Sequence, residues 1–207
     1  LKEHKDDYMT TLEFMCVGAL FGKVVDGSGK VLFEFRSTAT PIEFKNKEID
    51  IALNEIDNAL VDELGTEVPY DILCSNEFFN KVVAKAKTAG DFENKTASYI
   101  DEDGTRILVL SGKRFVPYRA SYPDENGNTK KFLKANEAIV IPKSEKVYEV
   151  VYGRADHTEA VKVAPKMFFA ATPQELERGK GYAIDTEMKA MPYCTRPSAL
   201  INLVFSN

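Results

Sequence analysis

The sequence predicts a mixed α+β fold, and three observations carry that expectation. Apolar residues recur at helical spacing in separate stretches, most clearly Ile49, Leu53, Ile56, Leu60 and Leu64. Runs rich in β-branched and aromatic residues, bounded by glycine, proline and acidic turns, fill most of the chain after residue 105. The two patterns do not alternate in the regular βαβα order of a nucleotide-binding sheet. A hydrophobic share of 44% over 207 residues is enough to build a core.

Residues 1–20 are charged first and apolar later. Tyr8, Leu12, Met15 and Ala19 fall on one helical face, with Glu3, Asp6, Asp7 and Glu13 mostly elsewhere, as in the last turns of a longer helix. The chain starts at Leu1 inside that pattern and reads as a fragment with sequence missing upstream. The stretch "FGKVVDGSGKVLFEF" (21–35) reads as a two-stranded ribbon turning at Asp26-Gly27-Ser28-Gly29, where the glycines would supply positive φ. On its return strand Val31, Phe33 and Phe35 share one face and Leu32 and Glu34 the other, so one side is expected to be buried.

A helix over 47–64 is expected to stop at Gly65. The strand "YDILCS" (70–75) follows, with Ser75 placed to cap the helix "NEFFNKVVAKAKT" that ends at Gly90. After a polar stretch, 105–120 and 130–142 are β-rich and flank the polar turn "YPDENGNTK". Strand patterns return at 147–153, at "YAIDTEMKAMP" and, past Arg196-Pro197, at "SALINLVF". The final strands are expected to pair near the ribbon. There is no internal repeat, and no linker separates independent domains.

The chemistry-bearing residues point to no active site. Charge is mildly acidic, 27 Lys and Arg against 32 Asp and Glu for a net of −5, which argues against a dedicated nucleic-acid binder. Cys16, Cys74 and Cys194 are odd in number, far apart and without CxxC spacing, unlike a disulfide framework or zinc site. That usage suits synthesis in a reducing cytoplasm. No apolar run approaches the ~18 residues of a membrane span. A thiol hydrolase would need Cys74 or Cys194 beside His157, yet Cys74 alternates with Tyr70 and Ile72 as a buried strand residue would. "DEDG" (101–104) and "PDENGN" (123–128) lack the ligand spacing of a calcium loop and read as solvated turns. Lys81, Lys85 and Lys87 line a helix face that could touch phosphate or simply be solvated. With 32 acids some carboxylate pair is inevitable, and none stands out. Asn94-Lys95-Thr96 has the form of a glycosylation acceptor. No catalytic, cofactor-binding or metal-binding residue is therefore assigned.

Read in order, "EFMCVGALFGKVVDGSGKVLFEF" (13–35), "YDILCSNEFFNKVVA" (70–84), "ANEAIVIP" (135–142) and "MKAMPYCTRPSALINLVF" (188–205) resemble the major capsid proteins of tailed bacteriophages, in the family of the lambda major head protein. The resemblance covers essentially the whole chain. It implies the tailed-phage major capsid fold, with 1–45 (end of the spine helix and β-ribbon) and 160–207 (returning strands) forming a peripheral subdomain and 46–159 an axial one. It implies a structural protein rather than an enzyme, without cofactor, located in the virion capsid and assembled in the bacterial cytoplasm.

Its partners would be other copies of itself, in pentamers and hexamers, and scaffolding, portal and decoration proteins. Packaged double-stranded DNA would be touched only non-specifically, and no membrane is implied. The ribbon would then reach toward neighbouring subunits. The family's N-terminal arm and extended loop would lie upstream of Leu1, so the chain alone is expected to stay a monomer or small oligomer. A cellular nanocompartment shell protein shares the fold and is the alternative, ahead of the thiol hydrolase.

Overall fold

The computed structural model describes residues 2–35, 39–123 and 126–206. Helix α1 (Lys2–Leu20) buries Leu12, Met15, Gly18 and Ala19 and leaves its charged first half exposed. Tyr8 is half-buried, its hydroxyl donating to the Thr186 carbonyl at 2.9 Å. The ribbon follows as β1 (Lys23–Val25) and β2 (Val31–Glu34), antiparallel with an irregularity between Val24 and Val25.

The junction explains the two glycines of the run Gly18-Ala19-Leu20-Phe21-Gly22-Lys23. The Lys23 carbonyl passes 2.5 Å from where a Cβ on Gly18 would stand, so no larger residue fits there without moving backbone. Gly22 has φ of +82°, and its carbonyl accepts from Phe35 N–H at 2.8 Å, which closes the ribbon's open end. At the far end the Asp26 carboxylate gathers the N–H groups of Ser28 and Lys30 and the Ser28 hydroxyl, and of the two turn glycines only Gly29 adopts positive φ.

The chain then adds β3 (Ile42–Glu43), α2 (Ile49–Leu64), β4 (Tyr70–Cys74), α3 (Asn76–Ala89), β5 (Ala97–Glu102), β6 (Thr105–Leu110) and β7 (Lys113–Pro117). Next come β8 (Ser121–Pro123), β9 (Thr129–Lys131), β10 (Glu137–Pro142), β11 (Tyr148–Tyr152), β12 (Phe169–Ala170), β13 (Gln174–Glu175), β14 (Tyr182–Ala183), β15 (Thr186–Glu187), β16 (Ala190–Cys194) and β17 (Asn202–Val204). A seven-stranded mixed sheet in the order β3-β17-β10-β4-β7-β6-β5 is the centre of the molecule, with β17–β3 and β4–β7 parallel.

The two helices predicted beyond the ribbon also form, α2 starting two residues later than expected. Helix α2 buries Ile49, Leu53, Ile56 and Leu60 and ends at Gly65, whose N–H bonds the Val61 carbonyl. Helix α3 is capped by Ser75, whose hydroxyl accepts from Phe78 N–H, and ends at Gly90. They cover the sheet face that carries Ile72 and Phe115. Phe44, Phe78 and Phe205 meet there with centroids 4.9–6.0 Å apart, in the offset and edge-on geometries that aromatic quadrupoles favour. On the opposite face Lys143, Asp71, Arg114 and Glu102 form a cross-strand ion chain, with Lys143 2.9 Å and Arg114 3.6 Å from Asp71.

Four expectations change. The return strand β2 is exposed at all of its positions rather than on one side, because it pairs only with β1, and β1 alone reaches the core. The polar stretch before residue 105 contains β5, a regular partner of β6 over its whole length, although it offers only one buried residue to reveal itself. The run 182–192 is divided among β14, β15 and β16, since it turns repeatedly between partners. The last strands also part company. β16 pairs with β11 and brings Met191 onto Met15, Ala19 and Val24, whereas β17 enters the large sheet between β3 and β10.

Candidate assembly surfaces

The side chains that might have made an active site do not converge. Cys74 is fully buried in β4, and burial pushes its thiol well up. Cys194 is buried in β16, and burial again raises the thiol against a lowering hydrogen bond from the Arg196 backbone. Cys16, half-buried on α1, is raised by burial and by Glu13. His157 meets other groups. Its Nδ1 accepts from Glu159 N–H at 3.2 Å, its ring lies 5.5 Å from that of Phe169, and Nε2 is 4.0 Å from Asp185. Neither thiol is among its hydrogen-bond or ring partners in the described residues, so the nucleophile–base pair of a thiol hydrolase is not assembled.

Among the described residues no cluster of three His, Cys, Asp or Glu could hold a metal ion. Asp103 and Gly104 of "DEDG" are the two-residue turn between β5 and β6, with Asp101 and Glu102 turned to Arg106 and Arg114. Residues 124 and 125 of "PDENGN" lie outside the described residues. No helix is long and apolar enough to cross a membrane among the described residues.

The lysine face of α3 has a structural use that periodicity could not reveal. Lys85 Nζ donates to the Phe44 carbonyl at 2.6 Å, the Lys45 carbonyl at 3.1 Å and the Lys47 carbonyl, binding the segment ahead of α2 to the middle of α3. Burial lowers its pKa, against the opposing pull of Glu43 and Glu48. Lys81 lies 5.6 Å from the centroid of the Phe205 ring. Lys87 sits in the last turn of α3, where a cation complements the helix dipole. Two of the three lysines thus already serve the chain itself.

What remains is contact surface. Val31, Leu32 and Phe33 on the ribbon are 41%, 44% and 49% exposed. The β13–β14 hairpin presents Leu176 and, at 69% exposure, Tyr182. Val151 on β11 and Val161 are also exposed. Single exposed apolar residues need no explanation, but Val31 and Phe33 lie open side by side on one face of the outer ribbon strand, with Leu32 open on the other. The sequence marked the ribbon through its hairpin turn. The second hairpin carries little local signal beyond the glycines of Gly179-Lys180-Gly181.

The sequence profile of the family described as phage major capsid protein E matches residues 1–205. A curated major capsid protein of Salmonella phage Felix O1 is 23% identical over 242 residues, taking in 93% of this chain and 63% of that protein. A solved structure of the capsid protein assigned to a prophage of E. coli CFT073 superimposes with a TM-score of 0.51 at 15% identity, over 95% of this chain and 63% of the other. That likeness shows a shared fold. An encapsulin from Synechococcus elongatus PCC 7942 aligns over 72% of this chain and 48% of its own at 12% identity, with a TM-score of 0.34 that is too low to argue from. The chain therefore spans about 63% of the length of the capsid proteins it matches.

Proposed function

The chain belongs to the phage major capsid protein E family, and we propose that the whole protein is a structural head protein of a tailed phage or prophage, copies of which assemble into an icosahedral shell around double-stranded DNA. The observation that carries this reading is the family match from residue 1 to 205, which takes in α1, the ribbon, the large sheet and the returning strands together. The chemistry is consistent with it. A shell subunit needs adhesive surface, and weak contacts suffice because symmetry repeats them. The exposed ribbon and the β13–β14 hairpin offer such surface. No catalytic role is assigned.

In this proposal 46–159 form an axial part, and 1–45 with 160–207 a peripheral part from which the ribbon reaches a neighbouring subunit. The seam would be stitched twice, because β3 and β17 run in the large sheet while β11 pairs with β16. Pentamers and hexamers of the protein, a scaffolding protein, a portal and decoration proteins would be its partners. Its place would be the virion capsid, after assembly in the bacterial cytoplasm. DNA would be met without sequence preference, as the net charge of −5 suits a shell that must not clamp its contents. The test is expression of the protein at its natural length with its scaffolding partner, followed by electron microscopy. Closed particles are expected, and failure to form them under any scaffold condition would count against the reading.

A further inference from the structure

The chain has two histidines, and both stand at the corner where β15 begins. Their placement carries an inference that holds whether or not the protein builds a shell. His4 Nδ1 lies 3.1 Å from the Thr186 hydroxyl, beside the bond from Tyr8 to the Thr186 carbonyl. A hydroxyl can accept as well as donate, so this contact survives protonation of the His4 ring. His157 differs. It is the N-cap of the turn Thr158–Ala160, extended at φ −127° and ψ 144°, and its Nδ1 accepts from the Glu159 N–H at 3.2 Å.

A backbone N–H can only donate. Nδ1 is therefore the bare nitrogen of a neutral ring, and the proton sits on Nε2, the atom 4.0 Å from the Asp185 carboxylate. Both nitrogens of a charged ring are donors, so protonation would set N–H against N–H at the cap. The same proton would turn the long Nε2–Asp185 approach into an ion pair. The His157 side chain is only 21% exposed and packs on Phe169, so the ring changes partners inside a packed setting.

The other charges around it are engaged elsewhere. Lys189 pairs with Asp156 at 2.6 Å and Glu187 at 3.3 Å, and Glu187 also accepts the Asp156 N–H. The Glu159 carboxylate holds the N–H and hydroxyl of Thr172. Arg154 and Lys166 line the small cavity onto which Phe169 opens. Asp185 faces the ring, its own carbonyl fixed by the Ala171 N–H at 2.9 Å.

We propose that His157 is a proton-operated cap, whose neutral ring closes the 158–160 turn and whose charged ring releases the Glu159 N–H and draws in Asp185. Histidine is the side chain whose charge ordinarily changes between about pH 5 and 8, so the exchange falls where unperturbed carboxylates and lysines do not titrate. At the upper end of that range the ring secures the turn that buries Ala160. In acid it is tied instead to the residue before β15, the strand to which Tyr8 anchors α1.

The test is nitrogen-15 NMR of the 207-residue chain from about pH 8 to 5.5, where the ring nitrogens report the tautomer directly. We expect the Nε2–H form at the upper end and a Glu159 amide resonance that moves with the same midpoint as the His157 ring. His157→Asn supplies a cap that does not titrate, and in it the Glu159 amide should stay in place. His4→Gln should leave the transition intact. Asp185→Asn should keep the transition but weaken proton binding about twofold, as suits one exposed carboxylate. An Nδ1–H tautomer, a Glu159 amide that ignores the His157 ring, or a transition that survives His157→Asn or vanishes in His4→Gln would each overturn the proposal. An unmoved midpoint in Asp185→Asn would overturn the exchange of partners.

Discussion

The seven-stranded sheet and the β1–β2 ribbon draw on the same residue types and bury them to opposite degrees. In the sheet Ile72, Phe115, Leu108 and Val140 are wholly enclosed, with α2 and α3 supplying Ile56, Phe78 and Val82 from above. In the ribbon Val31, Leu32 and Phe33 stand out in solvent, although Val24 and Val25 on the neighbouring strand are completely covered. The ribbon is thus a half-buried device, its inner strand sealed to α1 and its outer strand left open. Apolar content identifies a strand in both places, and only the number of elements packed on it decides whether it stabilises the fold or awaits a partner.

This contrast can be broken by mutation. The largest loss is expected from Phe78→Ala, which empties a site shared with Phe44 and Phe205 and should cost about 3–5 kcal/mol in urea unfolding. Leu53→Ala or Leu60→Ala should cost roughly 2–5 kcal/mol by the same measurement, and a loss under ~0.5 kcal/mol would make the α2 stripe a contact surface instead. Gly18→Ala should follow at about 1–3 kcal/mol, since the new methyl meets backbone that must shift, with the loss of order confined to the ribbon in hydrogen exchange. Phe33→Ser should change stability by less than ~0.5 kcal/mol yet lower particle yield from the protein at its natural length.

The smallest effect concerns Glu43. Burial alone would raise its pKa, but hydrogen bonds from Ser206 and from the Lys45 N–H outweigh it and hold the carboxyl below its ordinary value. Its contribution is therefore present above the ordinary glutamate range and lost as pH falls through the lower folded value. A Glu43→Gln chain should show a flatter stability profile across that window.

Much of this was legible in the residues. The α2 stripe, the Ser75 cap and the Gly65 and Gly90 stops are local signals, and each appears on the residue that carries it. What was hidden depends on distant partners. β5 has one buried position and five exposed ones, so no alternation reveals it until β6 is known to lie alongside. The exposure of β2 likewise follows from its pairing with β1 alone among the described residues, which periodicity cannot report. Lys85 looked like one more charge on a wet helix face, because its carbonyl partners are 38 to 41 residues away along the chain.

The Gly18 junction has a mechanical consequence. With the Lys23 carbonyl pressed against the helix where any side chain would block it, α1 and the ribbon meet at a fixed elbow and move as one arm. From the elbow the ribbon runs back along α1, since a Cβ on Gly27 in its turn would stand 3.9 Å from the Thr11 methyl, and Val24 packs on Met15 and Ala19. The aim of the ribbon is governed by the bending stiffness of a helix rather than by the looseness of a loop.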